Sequence, residues 1–149
     1  MDNLLPVDGP EFPDAEKIMV DLLTPFFPAI NVDADVGTVH PDSNANATYV
    51  ANGGVLVQIR RISGQADRVD DESLVRVAVT ANSRAESQRL IAKVRGALRG
   101  FSGIVPHEDG TKDLVRDVAE SKGPLQLPEM LMDARRADIH FTLTTRLPR

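Results

Sequence analysis

The stretch that most constrains the fold is the closing one, Ala137–Leu147, because its apolar and polar residues alternate one by one. Its apolar members include Ile139, Phe141 and Leu143, and polar residues stand between them. Side chains of a β-strand point alternately to the two faces of the sheet, so the pattern predicts a strand with one buried and one accessible face. Half-buried strands of this kind are typical of antiparallel sheets.

Two earlier stretches, Val55–Ile62 and Leu74–Ala81, show the same alternation. The polar segment Gly64–Glu72 between them is predicted to be a turn, so the two strands should form an antiparallel hairpin. Shorter strand candidates are Ala29–Ala34, Ile104–His107 and Leu114–Val118, the last two flanking a Glu108-Asp109-Gly110 turn.

Two segments are predicted to be amphipathic helices. The first begins at Pro13-Asp14 and closes near Leu23, with apolar residues at spacings of three and four and with a proline suited to a first helical turn. The second begins at Ser83, which with Glu86 fits a capping box, and ends at Gly100, a residue favoured just after a helix. The predicted order is therefore helix, strands, helix, strands.

The length of 149 residues and the 42% hydrophobic content are those of one globular domain with its own core. Residues 1–12 lack periodicity and are interpreted as an N-terminal arm, while residues 13–149 form the domain. His40–Asn52 is predicted to be a loop and Pro124–Ala134 an irregular segment. The fold class is α+β: a mostly antiparallel sheet of about five strands packed by two amphipathic helices.

Composition removes most catalytic and metal chemistry. The chain has no cysteine, and its 3 histidines are widely separated. No phosphate-binding loop or nucleophile elbow is present, and no apolar run approaches the ~20 residues that span a bilayer. The start of the chain does not resemble a secretion signal. We therefore predict no enzyme, no cofactor, no metal site and no membrane contact.

Charge argues against a general nucleic-acid binder. Lys plus Arg number 17 and Asp plus Glu number 22, which gives a net charge of −5, whereas nucleic-acid binders normally carry a basic surface. The acidic residues of the Gly64–Glu72 turn are interpreted first as a solvated turn and second as a protein–protein contact. Residues 107–109, which could bind a hard cation, are interpreted as an ordinary turn. The adjacent Arg60 and Arg61 either pair within the domain or contact another subunit, and both readings stay open.

Taken in order, several motifs resemble the tail terminator proteins of long-tailed (siphovirus-type) bacteriophages, especially those of actinobacterial phages. They are Phe12-Pro13-Asp14-Ala15-Glu16, Val57-Gln58-Ile59-Arg60-Arg61-Ile62-Ser63-Gly64, Asp67-Arg68, Val75–Val79, Arg84-Ala85-Glu86 and Thr145-Arg146-Leu147-Pro148. The likeness covers residues 12–148. The chain departs from the family pattern at Leu127, where an aromatic is expected before Pro128, and in the Ala45–Asn52 loop.

The resemblance implies a structural virion protein of the tail or neck, assembled in the host bacterial cytoplasm. Six copies would form a ring that caps the tail tube, ends its polymerisation and joins it to the head-tail connector or stopper protein. DNA would pass through the bore without specific binding. Within that picture we expect subunit contacts from Arg60, Arg61, Arg84 and Glu86, and bore-lining acids from Asp67, Asp70, Asp71 and Asp109.

Two alternatives remain at this point. One stays within virions: another neck or connector protein, or the tube subunit itself. The other is a different class, a small ligand-binding or enzymatic α+β domain, which would need a pocket with convergent polar groups.

Overall fold

In a computed structural model that describes residues 3–5, 7, 11–41, 43–67, 69–126 and 136–147, one six-stranded sheet organises the chain. The strands are β1 (Ala34–Gly37), β2 (Val55–Ala66), β3 (Asp70–Thr80), β4 (Gly103–Pro106), β5 (Lys112–Gln126) and β6 (Arg136–Arg146). They lie in the order β1-β2-β3-β6-β5-β4. Among these pairs β1–β2 is parallel and the others are antiparallel. The α+β class and the mostly antiparallel sheet are thus confirmed.

The helices are α1 (Ala15–Leu23), the single turn α2 (Phe26–Ala29), α3 (Asn44–Ala51) and α4 (Arg84–Leu98). Asp14 caps α1 by accepting a 3.1 Å hydrogen bond from the Lys17 amide, so the proline before it precedes the helix and does not begin it. Ser83 caps α4 as predicted, accepting from the Glu86 amide at 3.2 Å. Gly100 follows α4 with φ 77, a left-handed conformation that glycine adopts at little cost.

The sheet has one covered face and one mostly open face. On the covered face α1 and α4 pack over apolar residues of β2, β3, β5 and β6, and these form the core. Its largest fully buried side chains from the strands are Ile59, Ile139, Phe141, Leu143, Val57 and Val75. The open face carries the alternate residues of the same strands, and α3 covers it near Leu56 and Thr80. The strict alternation in β6 therefore separates these two faces as predicted.

Three sequence predictions were wrong in detail, the first of them at Ala29–Ala34. This segment begins with the end of the α2 turn, and β1 starts only at Ala34. Pro28 is compatible with a first helical turn, and Asn31 then adopts φ 61, a left-handed conformation that ends the turn.

The predicted loop His40–Asn52 contains the helix α3. Ser43 caps it by accepting from the Asn46 amide at 3.2 Å. Only Val50 of this helix is buried, so the segment has almost no apolar stripe and its sequence did not indicate a helix.

The predicted turn Gly64–Glu72 is mostly strand. β2 continues to Ala66 and β3 begins at Asp70, which leaves a turn of only three residues. In the described residues the sheet has six strands where about five were expected, and α3 makes three helices of two or more turns where two were expected. The irregular segment Pro124–Ala134 begins inside β5, and residues 127–135, Arg68 and Pro148 lie outside the described residues.

Candidate functional site

The second half of β2, Arg60–Ala66, is the most unusual surface of the chain. All seven of its residues are exposed, although the segment is regular strand paired with β3 along one edge. Its first half pairs with β1 on the outer edge, but that pairing stops at Gln58. Within the described residues no strand pairs with the outer edge of Arg60–Ala66. We call this segment the exposed half of β2.

Arg61 lies at an irregularity in this segment. The register between β2 and β3 shifts between Arg61 and Ser63, the signature of a β-bulge. The Arg61 side chain donates from Nε to Ser73 Oγ at 3.1 Å, and its backbone N–H donates to Glu16 of α1 at 2.8 Å. It passes so close to Gly64 that a Cβ there would lie 2.2 Å from an Arg61 nitrogen. Arg61 is therefore held within the chain, and Gly64 provides the space.

Arg60 points to the opposite side, as the alternation of a strand requires, and lies on the open face opposite Arg76 of β3. No hydrogen bond or ion pair to the Arg60 guanidinium exists among the described residues. Of the two readings left open by the sequence, the intrachain one fits Arg61, while Arg60 stays available for another molecule.

Arg84 and Glu86 lie at the start of α4, away from the arginines of β2. The Glu86 carboxylate accepts from Arg89 at 3.1 and 2.6 Å, and this hydrogen bonding lowers the pKa of Glu86. The carboxylate is thus engaged by Arg89 rather than reaching back to the cap. Arg84 is exposed. The structure brings Arg60 and Arg61 together on one strand and leaves Arg84 and Glu86 elsewhere.

The four predicted bore acids, in contrast, share one end of the sheet. Asp67, Asp70 and Asp71 lie at the β2–β3 turn, and Asp109 lies in the β4–β5 turn. Both turns are next to the C-terminal end of β6. The Leu147 amide donates to the Val69 carbonyl at 2.8 Å and fixes the end of β6 beside the first turn.

These acids differ in what holds them. Asp67 is exposed and accepts from two turn amides, Asp70 and Val69, which lowers its pKa. Asp70 approaches Arg116 of β5 at 3.4 Å. Asp71 is only 5% exposed, so its side chain is not presented at the surface of the single chain.

Asp109 accepts hydrogen bonds from Thr111 and from Lys17 of α1, the latter at 2.9 Å, and these lower its pKa. Lys17 thereby joins the start of α1 to the β4–β5 turn.

Sequence reasoning missed the arrangement around His107. Its imidazole is buried and lies between two carboxylates, with Nδ1 against Asp21 of α1 and Nε2 2.7 Å from Asp113 of β5. Burial lowers the pKa of His107, but its hydrogen bonds to Asp113 and Asp21 outweigh that effect and leave the pKa raised. Through these two contacts the histidine fastens the β4–β5 hairpin to α1. Asp21 is 86 positions away in sequence, so only the Asp113 contact, across the turn, had a local signal.

Metal sites, membrane-spanning helices and small-molecule cavities are the other features of the described residues that bear on function. The described ranges contain no group of three or more metal-ligating side chains and no helix long and apolar enough to cross a membrane. A cavity of about 180 Å³ lies between α3 and the open face, lined by His40, Val50, Leu56 and Arg136 among others. It is smaller than the ~300–1,000 Å³ typical of small-molecule sites, whereas two more open clefts fall within that range: one of about 540 Å³ beside Arg95, and one of about 410 Å³ beside His107. His40 also pairs loosely with Asp35 at 3.6 Å.

Comparison with known proteins adds one finding to this geometry. The sequence model of a family described as phage tail termination protein matches residues 11–149, nearly the whole chain. No curated protein matches the chain.

Proposed function

This chain belongs to the family of phage tail termination proteins, and we propose that it acts as a ring of six copies. The ring caps the completed tail tube, ends its polymerisation and presents its other face to the head-tail connector. The family places the protein in the virion tail as a structural component. The finer assignments, a siphovirus-type phage of actinobacteria and assembly in the host cytoplasm, belong to the proposal.

The observation that carries the ring is the exposed half of β2. A strand segment exposed on both faces and unpaired along its outer edge is seldom left uncovered in a monomeric protein. Ile62, at its centre, is 49% exposed. We assign this segment to the contact between neighbouring copies: Arg60 is available to the neighbour, and Arg61, although bonded to Ser73, is exposed on the same segment. In the proposed ring its counterpart on the neighbour is a different surface, because head-to-tail contacts of this kind are the ones that close into rings.

Arg84 and Glu86 are assigned to a second, smaller part of the same interface. They stand at the exposed start of α4. Arg84 is the available charge there, while Glu86 contributes through its pair with Arg89.

The acidic end of the sheet is assigned to the bore. Asp67, Asp70 and Asp109 are accessible there, and Asp71 adds negative charge from a buried position. Carboxylates at the wall repel phosphates, so DNA passes through without specific binding. The tube protein and the connector or stopper protein are then the partners on the two ring faces.

The test is capping of purified tail tubes. We expect the protein to have a ring mass that holds over a concentration series, and electron microscopy to show density at one end of each tube. Bovine serum albumin, added at equal mass concentration, controls for unspecific adhesion. Tubes that stay open and continue to elongate with tube subunits would contradict the assignment as a terminator.

The same experiment separates the alternatives. A protein that copolymerises along the tube is a tube subunit, and one that binds only isolated connectors is another neck protein. No observation specifically favours the ligand-binding or enzymatic alternative.

A further inference from the structure

A row of basic side chains crosses the open face. Arg60 of β2 is the register partner of Arg76 of β3, and Arg76 is the register partner of His140 of β6. Side chains at directly opposed positions lie ~4.5–5.5 Å apart at Cβ, and like charges placed so are destabilising. We call these three residues the basic row. Its presence is unexpected in a chain with net charge −5.

Of the two arginines of the row, Arg60 has no counter-charge among the described residues and Arg76 shares one. Asp138 is the nearby carboxylate, and one of its oxygens accepts from Arg136 at 2.9 Å. Its other oxygen accepts from Arg136 at 3.4 Å and forms an ion pair with Arg76 Nε at 4.0 Å, which is beyond hydrogen-bond distance. Arg76 Nε is itself buried and has no hydrogen-bond acceptor in the described part of the chain, and the Arg60 guanidinium has none either. Because that Nε is enclosed, an anion from another molecule would meet the exposed Arg60 guanidinium and the exposed part of the Arg76 side chain.

We propose that the basic row receives carboxylates of a second copy of this chain, supplied by Glu11 and Glu108. The proposal rests on the ring assembly proposed above and names the surfaces that meet in it. Arg60 and Arg76 are the fixed charges of the row.

The two glutamates lie on neighbouring segments. Glu11 precedes the Asp14 cap of α1, and Glu108 lies in the β4–β5 turn, and the Lys17–Asp109 ion pair of 2.9 Å joins these segments. Both glutamates are exposed, and neither has a hydrogen bond or ion pair among the described residues. They are therefore the available carboxylates of an acidic surface whose other members are paired internally.

The positions of the two surfaces favour contact between copies. The basic row lies on the open face at mid-strand, whereas α1 lies on the covered face. The β4–β5 turn extends beyond the end of β6. One chain cannot bring its own two surfaces together, but a head-to-tail neighbour can, and such a contact repeats until the ring closes.

Carboxylates fit the row better than nucleic-acid phosphates do. A nucleic-acid backbone needs a longer basic stripe, and the open face carries Glu72 and Asp138 on β3 and β6 on either side of the row. Isolated carboxylates can be placed between these acids, whereas a continuous phosphate chain would pass over them.

The test exchanges the two charges. Variant A is Arg60→Glu/Arg76→Glu, and variant B is Glu11→Lys/Glu108→Lys. The control variant, Lys93→Glu/Arg99→Glu, makes the same charge change as variant A on exposed positions of α4 and its C-cap. Sedimentation velocity measures assembly, and circular dichroism establishes that each variant is folded. Because Arg76 is partly buried, the single Arg60→Glu variant keeps the test valid if variant A unfolds.

We expect variants A and B to associate at least tenfold more weakly than the wild type, and the control to assemble normally. Mixed in equal amounts, A and B should recover the ring, because the contacts of an alternating ring are complementary: the reversed row of A meets the reversed acidic surface of B, and the native row of B meets the native glutamates of A. That alternation needs an even number of copies, a condition that a ring of six meets.

Two results would overturn the proposal: normal assembly of variant A or of Arg60→Glu, and failure of the mixture after each variant has lost assembly. If variant A assembles normally but loses a binding to double-stranded DNA that the wild type shows, the row is a phosphate site instead. If the wild type still caps tubes when the basic row fails its test, the proposed function stands and only the assignment of the row is lost. If the wild type leaves tubes uncapped, the proposed function itself is overturned.

Discussion

The two halves of β2 share one strand and differ in everything around it. Val55, Val57 and Ile59 alternate into the core, and β1 pairs with the outer edge. From Arg60 to Ala66 every residue is exposed, and no strand in the described part of the chain pairs with the outer edge. Burial explains why the first half has its sequence: each inward position removes apolar surface from water. The described residues leave the whole second half exposed, and for this reason the proposed ring places a neighbouring copy against it.

The largest loss of stability is expected in the first half of β2, at Ile59, which is fully buried. We expect Ile59→Ala to lower the free energy of unfolding by about 2–5 kcal/mol, because it removes buried methyl groups and leaves a cavity. Urea unfolding followed by circular dichroism measures this loss. A change below about 1 kcal/mol would mean that the first half of β2 is not core.

A smaller loss of stability is expected at His107, which fastens the β4–β5 hairpin to α1. His107→Gln removes the charge between Asp21 and Asp113, and we expect a loss of about 1–3 kcal/mol near pH 6. Since the folded pKa of His107 is raised, its stabilisation is complete below its unfolded pKa of about 6.5 and is lost as pH rises through the folded value.

The measurement for His107 is thermal unfolding over a pH series from 6 to 9. The wild type should lose stability across this range more steeply than the Gln variant. Parallel curves for the two proteins would show that the histidine is not charged in the folded state.

The cap of α4 should matter less than either. Ser83→Ala removes the hydroxyl that accepts from the Glu86 amide, and the expected cost is about 1 kcal/mol. Ser83→Asp is the matched control, because aspartate caps as well as serine does and should stay near wild-type stability. A loss equal to that of the alanine variant would assign another role to the hydroxyl.

The smallest effect on the single chain is expected at Ile62, the counterpart of Ile59 in the exposed half of β2. Ile62→Ala should change the free energy of unfolding by less than about 0.5 kcal/mol, because the side chain is half exposed. The same substitution should weaken assembly, measured by sedimentation velocity, because the neighbour loses an apolar contact. Unchanged assembly would remove Ile62 from the interface.

The difference between buried and exposed elements also explains which parts of the fold the sequence predicted. Elements that bury one face, such as β6 and α4, were predicted closely because burial imposes a period on the sequence. The helix α3 and the exposed half of β2 bury few side chains, so neither shows the periodic apolar pattern from which a helix or strand is predicted. The acidic end of the sheet was anticipated only as residue types, since chain topology decides that the two turns share an end.

Contacts between segments that are distant in sequence could not be predicted from the sequence pattern. The Asp21–His107 contact and the register that aligns Arg60, Arg76 and His140 arise when separate elements pack together. Local pattern predicts which face a side chain takes, but not which residue of another strand stands beside it.

The hydrogen bond from the Arg61 amide to Glu16 bears on how this protein avoids fibres. That amide is a donor that an added strand would use if it prolonged β1 along β2. With the donor occupied by a helix side chain, and with the bulge beside it bending the backbone, the edge is a poor template for strand addition. In the proposed ring, neighbouring copies would then meet through side chains, whose fit can define a closed number of subunits, rather than through backbone pairing, which can continue without limit.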